Sequence, residues 1–65
     1  MKNCIQELRK KNRITQEELA DLCEVTRQTI ISLENGRYNP SIMLAHRIST
    51  IFELTIEQVF IFEEE

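Results

Sequence analysis

The chain is short of nearly everything that punctuates or braces a fold. One glycine, one proline and no tryptophan occur in 65 residues, too few turn residues for a hairpin-rich β architecture and too few residues for a second domain. Two cysteines, Cys4 and Cys23, do not make a disulfide framework, and the lone His46 leaves no usual zinc ligand set. With a single histidine, no Ser/Cys–His arrangement and no glycine-rich phosphate loop, nothing supplies a reaction centre or a cofactor site, so an enzyme is not expected. No apolar run approaches the roughly 18 residues of a membrane span. The start, Met1-Lys2-Asn3-Cys4, lacks the apolar stretch of a signal peptide. A cytoplasmic protein with no membrane partner is the expectation.

A basic excess is missing too: eight Lys+Arg face eleven Asp+Glu, a net charge of −3. The sum hides a segregation. Residues 1–13 carry five bases (Lys2, Arg9, Lys10, Lys11, Arg13) and one acid, residues 14–26 four acids, residues 27–52 three bases and one acid, and residues 53–65 five acids and no base. One end can be locally positive while the tail is acidic. The tail, Glu63-Glu64-Glu65, is expected to fray.

What is present is a repeated helix-start device, a Ser/Thr N-cap with Glu/Gln three residues on and an apolar staple around it. Thr15 with Glu18, flanked by Ile14 and Leu19, has both parts, as does Thr55 with Gln58, flanked by Leu54 and Val59. Thr26 has the cap and the staple (Val25, Ile30), and Ser41 after Pro40 has the cap alone. These starts predict helices over about 16–23, 27–35, 42–52 and 56–60, after a first helix over about 2–12 that carries Ile5, Leu8 and Asn12 on one face. Gly36 is the expected left-handed stop of the third helix, and Pro40 bars helix through the following loop. The chain reads as all-α, one domain over residues 1–65.

Only Glu24, Val25 and Thr26 separate the second helix from the third, which is too short a link for side-by-side antiparallel packing and suits a helix-turn-helix. Ala20 then sits at the close approach, and Leu19, Val25, Ile30 and Leu33 hold the unit from beneath. With Ile30 and Leu33 inward, Arg27, Gln28, Ile31 and Ser32 point outward and Thr29 lies at the flank. Arg can fork onto guanine O6/N7, Gln onto adenine N6/N7, and Ser/Thr onto several base edges. The plainer reading of Arg27 and Gln28, as solvated first-turn residues, stays open on these residues alone.

The string Thr15-Gln16-Glu17-Glu18-Leu19-Ala20, then Arg27-Gln28-Thr29-Ile30 and Glu34-Asn35-Gly36-Arg37-Tyr38-Asn39-Pro40-Ser41, closely resembles the Cro/repressor-type (Xre-like) helix-turn-helix family at its spacing. The resemblance covers nearly the whole chain. It implies a five-helix, lambda-repressor-like domain that binds double-stranded DNA sequence-specifically as a homodimer on a palindromic operator, as a repressor, with no small-molecule effector evident. Carried over by position, it makes Arg27, Gln28 and Ser32 the base readers. Gln16, Thr26, Thr29, Asn35, Arg37 and Tyr38 become backbone or supporting residues, an assignment that amide, phenol and guanidinium chemistry near helix ends also favours for the last three. Tyr38 could instead pack over the start of the fourth helix. The sequence departs from the family at Glu24, where glycine is common and a non-glycine at positive φ costs roughly 1 kcal/mol, and at Ile31, favoured as a half-buried flank residue over a thymine-methyl contact.

Two charges fall on inward faces: Arg9 beside Ile5 and Leu8, and Glu34 beside Ile30 and Leu33. Charges rarely enter cores unpaired, so a structural ion pair between them is expected, as the resemblance also implies. Cys23 is expected in the core and Cys4 at the surface.

A 65-residue chain hides only about 60% of its unfolded surface, which favours a partner subunit. The apolar residues of the last two helices exceed what one small core holds, and the consecutive run Val59-Phe60-Ile61-Phe62 cannot all face one core. Dimerisation is therefore expected through about 42–62, with Ile51, Val59, Ile61 and Phe62 at the interface. The competing class is a protein-interaction module, such as an antitoxin-like or adaptor subunit keeping the same fold, favoured by the net negative charge and opposed by Arg27-Gln28-Thr29.

Overall fold

Four of the five helices begin where a hydroxyl takes up a backbone N–H that the helix itself cannot satisfy. In the computed structural model, which describes residues 1–62, the elements are α1 (Ile5–Lys11), α2 (Gln16–Cys23), α3 (Arg27–Glu34), α4 (Ile42–Ile51) and α5 (Ile56–Val59). Thr15, Thr26, Ser41 and Thr55 cap α2 to α5, and the capping box is complete at Thr15/Glu18 and Thr55/Gln58. The fold is all-α; among the described residues extended pairing is confined to one antiparallel bridge, Asn3 with Phe60. Glu63, Glu64 and Glu65, where fraying was expected, lie outside the described residues.

The first helix is shorter than its pattern suggests. Asn3 Oδ1 accepts from the Ile5 N–H at 3.1 Å, and its Nδ2 donates to the Leu33 carbonyl at 2.7 Å, so α1 starts only at Ile5. Residues before it are extended: the Cys4 N–H donates to Val59 O and the Ile61 N–H to Lys2 O, both at 2.8 Å. Cys4 is consequently half-buried rather than at the surface. Asn12 is the exposed C-cap of α1, off the inward face it shares by spacing with Ile5 and Leu8.

The core joins all five helices: Ile5 from α1, Leu19, Ala20 and Cys23 from α2, Ile30 and Leu33 from α3, Leu44, Ala45 and Ile48 from α4, Val59 from α5, and Phe60 just beyond. Each fully buried large side chain contributes about 1.5–3 kcal/mol. Val59 and Phe60 correct the expected interface. The backbone changes from helical at Val59 to extended at Phe60 (φ −106°, ψ 134°), which lets two consecutive side chains both enter the core. Ile51 also packs against this core, half-buried. Val59 and Ile51 are thus occupied within the chain, and only Ile61 and Phe62 of the four residues assigned to a dimer interface stand exposed, at 44% and 58%.

Chain reversals use left-handed residues. Gly36 (φ 74°) ends α3, and Glu24 (φ 58°) makes the turn between α2 and α3. Arg13 (φ 58°) and Glu53 (φ 57°) adopt the same conformation after α1 and α4, with no glycine or asparagine to mark them.

Candidate nucleic-acid interface

The two helices of the turn unit are locked from both ends of their link. Glu24 closes α2 with its N–H on the carbonyls of Ala20 and Asp21, and the Val25 N–H follows onto Ala20 O at 3.0 Å, so the last turn of α2 keeps its partners despite a non-glycine at positive φ. From α4, Arg47 Nη1 donates to Cys23 O at 3.1 Å and to Glu24 Oε2 at 2.9 Å, tying the link to the helix behind it. Buried Ala20 lets α2 and α3 approach closely.

Thr26 caps α3 by accepting from the Thr29 N–H at 3.2 Å, and the two threonine hydroxyls lie 3.0 Å apart. Both threonines therefore shape the start of the helix. Burial of Ile30 and Leu33 turns the opposite face outward: Arg27 and Gln28 are exposed, and Thr29, Ile31 and Ser32 are half-buried along its edge. Gln28 Nε2 lies 3.5 Å from Ser32 Oγ, one turn further along the same face. Ile31 thus takes the flank position.

Beneath this face lies a hydrogen-bonded chain of four side chains. Arg9 Nε donates to Glu34 Oε2 at 2.8 Å and Arg9 Nη2 to Oε1 at 3.4 Å, while Arg9 Nη1 takes the Ile14 carbonyl at 3.1 Å. Gln16 Nε2 donates to the same Glu34 Oε1 at 3.0 Å, and its Oε1 accepts from Arg27 Nη2 at 3.5 Å. Gln16 therefore joins the buried ion pair to the exposed start of α3. No buried side-chain nitrogen or oxygen among the described residues lacks a partner. Such a fully satisfied network fixes the geometry of the groups it holds.

Past α3, Asn35 is the C-cap, with its N–H on Ile31 O and Leu33 O, and Arg37 and Tyr38 follow, all three exposed. Tyr38 is 43% exposed, so part of its ring is open to solvent. Base-type donors and acceptors thus stand exposed at the front of α3, and phosphate-type groups stand exposed just past its end. Sequence reasoning did not single out Lys10 and Arg13, which line an open groove beside Gln16 and Arg27; the signal for them was the cluster of five bases in residues 1–13. Among the described residues no group of His, Cys, Asp and Glu could hold a metal ion, and no helix is long and apolar enough to cross a membrane.

The helix-turn-helix family model matches residues 5–59, from the first buried residue of α1 to the end of α5. This chain belongs to the Xre/Cro-type helix-turn-helix family. It is 53% identical over 66 residues to a protein of Methanothermobacter thermautotrophicus described as an uncharacterized HTH-type transcriptional regulator, covering 100% of this chain and 96% of that one. A protein of Archaeoglobus fulgidus with the same description is 51% identical over 65 residues, covering 100% of this chain and 92% of the other. Among solved structures, the restriction-modification controller protein C.AhdI of Aeromonas hydrophila superimposes with a TM-score of 0.77 at 27% identity, over 86% of this chain and 85% of that one. Helix-turn-helix members of this type are DNA-binding transcription regulators rather than enzymes, and the outward face of α3 is where such a fold meets DNA.

Proposed function

We propose that this helix-turn-helix regulator binds a palindromic DNA operator as a homodimer and represses by occupying it. One observation carries the reading: the buried pair Ile30 and Leu33 leaves Arg27 and Gln28 exposed at the N-terminal end of α3, the end that meets base edges in the major groove. Arg27 and Gln28 are the readers, with Ser32 reaching from the next turn. Gln16 supports Arg27, Thr26 and Thr29 fix the start of the helix, and Asn35, Arg37 and Tyr38 grip the backbone behind it.

A second copy is supported by an apolar cleft of about 220 Å³ between Met1, Pro40, Ile42, Ile56 and Phe62. Ile42 is 83% exposed and Phe62 58%, and both line this same cleft; contiguous exposed apolar surface marks interaction sites. Two-fold pairing there would set two copies of α3 about 34 Å apart, one turn of DNA. The proposed interface is thus the start of α4 with Ile61 and Phe62.

Selection of bound sequences from random DNA tests the reading. The unmodified protein should enrich a palindrome, and Gln28→Ala should cost roughly 1–3 kcal/mol on it and relax one base pair per half-site. If no palindrome is enriched, the net charge of −3 favours the protein-interaction module instead.

A further inference from the structure

The seven bases from Arg9 onward divide into two groups. Arg9 is paired with Glu34 and Arg47 with Glu24. Lys10, Lys11, Arg13, Arg27 and Arg37 have no carboxylate within ion-pair distance among the described residues. Three of these five, Lys10, Arg13 and Arg27, converge with the edge of Arg9 on one open groove of about 860 Å³, whose remaining lining is Ile14, Thr15, Gln16 and Glu17. Three unpaired cations thus meet a single acid, Glu17, in the groove of a molecule whose net charge is −3. Local field, not the total, decides what such a surface attracts.

Two features say what kind of anion fits. The groove runs from the end of α1 past Gln16 to Arg27, so it is continuous with the front of α3. It is an open trough lined by exposed Lys10, Arg13 and Arg27, and among the described residues no unpartnered buried polar side-chain atom is aimed into it to enclose a small anion. A phosphodiester strand lying along the surface meets both conditions. Arg13 holds a left-handed turn there (φ 58°), its N–H bonded to Lys10 O at 3.1 Å, which keeps the two residues adjacent as the chain turns into α2.

We propose that Lys10 and Arg13 are sequence-independent phosphate contacts that carry the DNA backbone beyond the bases read by α3, extending each half-site past the recognition helix. The proposal rests on the DNA-binding reading above and adds two binding residues to it. Each phosphate neutralised releases counterions, so each lost contact makes the log–log salt dependence shallower by about 0.9.

Binding of the full chain to its selected operator and to unrelated duplex DNA, measured across a salt series, is the test. The Lys10→Gln/Arg13→Gln double variant should weaken both by the same factor, flatten the salt slope by nearly two units and leave the selected sequence unchanged. Lys11→Gln, which removes a base from the same helix but not from the groove, should leave the slope intact, and Arg13→Lys should keep it. Melting by circular dichroism shows that the variants remain folded, as substitution at two exposed positions should allow. An unchanged slope in the double variant, or a changed base preference, overturns the assignment while the operator reading stands. Failure of the unmodified protein to bind any duplex removes both.

Discussion

Arg9 and Glu34 lie side by side from two different helices, Nε to Oε2 at 2.8 Å and Nη2 to Oε1 at 3.4 Å, with side chains only 12% and 5% exposed. A pair this sheltered is costly to break and cheap to replace. Glu34→Ala or Arg9→Ala strands the partner charge and should cost about 3–5 kcal/mol, whereas substituting both with apolar residues should cost less than either. Chemical denaturation of the two single variants and the double tests this through the double-mutant cycle, where strict additivity would sink the coupling.

Val59 and Phe62, three residues apart, should fail in opposite ways. Val59 is fully buried, so Val59→Ala should lower stability by about 2 kcal/mol while leaving self-association of the folded protein unchanged. Phe62 is 58% exposed, so Phe62→Asp should leave folding intact and weaken the dimer on the order of tenfold or more. Sedimentation equilibrium alongside thermal melting separates the two. A monomer that binds the palindrome at full affinity removes the dimer altogether.

Arg37 should behave as a clamp and not a reader. It is exposed beyond the C-cap of α3, at the opposite end of the helix from Arg27. Arg37→Ala should weaken binding to every duplex alike and flatten the salt slope by about one unit. A shifted base preference at constant slope would make it a reader.

Cys23 links pH to stability. Burial raises its thiol above its ordinary value of 9.0, the nearby Arg47 opposing this in part. Between the unfolded and the raised folded pKa the native state keeps a proton that the unfolded chain has lost, so stability is intact below about pH 9 and falls as pH rises through the folded value. Melting temperatures across the alkaline range should therefore drop more steeply for the unmodified chain than for Cys23→Ala. In native protein near neutral pH an alkylating reagent should reach half-buried Cys4 before Cys23; the reverse order contradicts the assigned burial.

Helix starts are legible in this sequence because a capping hydroxyl and its partner three residues on are local chemistry, and Thr15, Thr26, Ser41 and Thr55 act as caps at those positions. The outward face of α3 is legible for a similar reason: once Ile30 and Leu33 are inside, helical spacing places Arg27 and Gln28 outside. Arg9 with Glu34 is legible by elimination, each being a charge on an inward face. What periodicity cannot show is pairing between distant segments. The bridge of Asn3 with Phe60 is written in no local pattern, yet it shortens α1 and draws Phe60 into the core beside Val59. The left-handed turns at Arg13 and Glu53 are equally silent, since neither residue type advertises the conformation. Lys10 and Arg13 were visible only as charge, without the groove that gives them direction.

The hydrogen bonds that join Lys2 and Cys4 to Ile61 and Val59 close nearly the largest loop this chain can form. Bringing together residues about 57 apart costs on the order of 3–4 kcal/mol of chain entropy if attempted from the open polymer, against a gain of roughly 1 kcal/mol for each bond made. The closure therefore follows the docking of the helices in time, as the last stitch rather than the nucleus. It should also be the first to part in the native state, with the Cys4 and Ile61 amides exchanging with solvent deuterium well before those of Ile30 and Leu33.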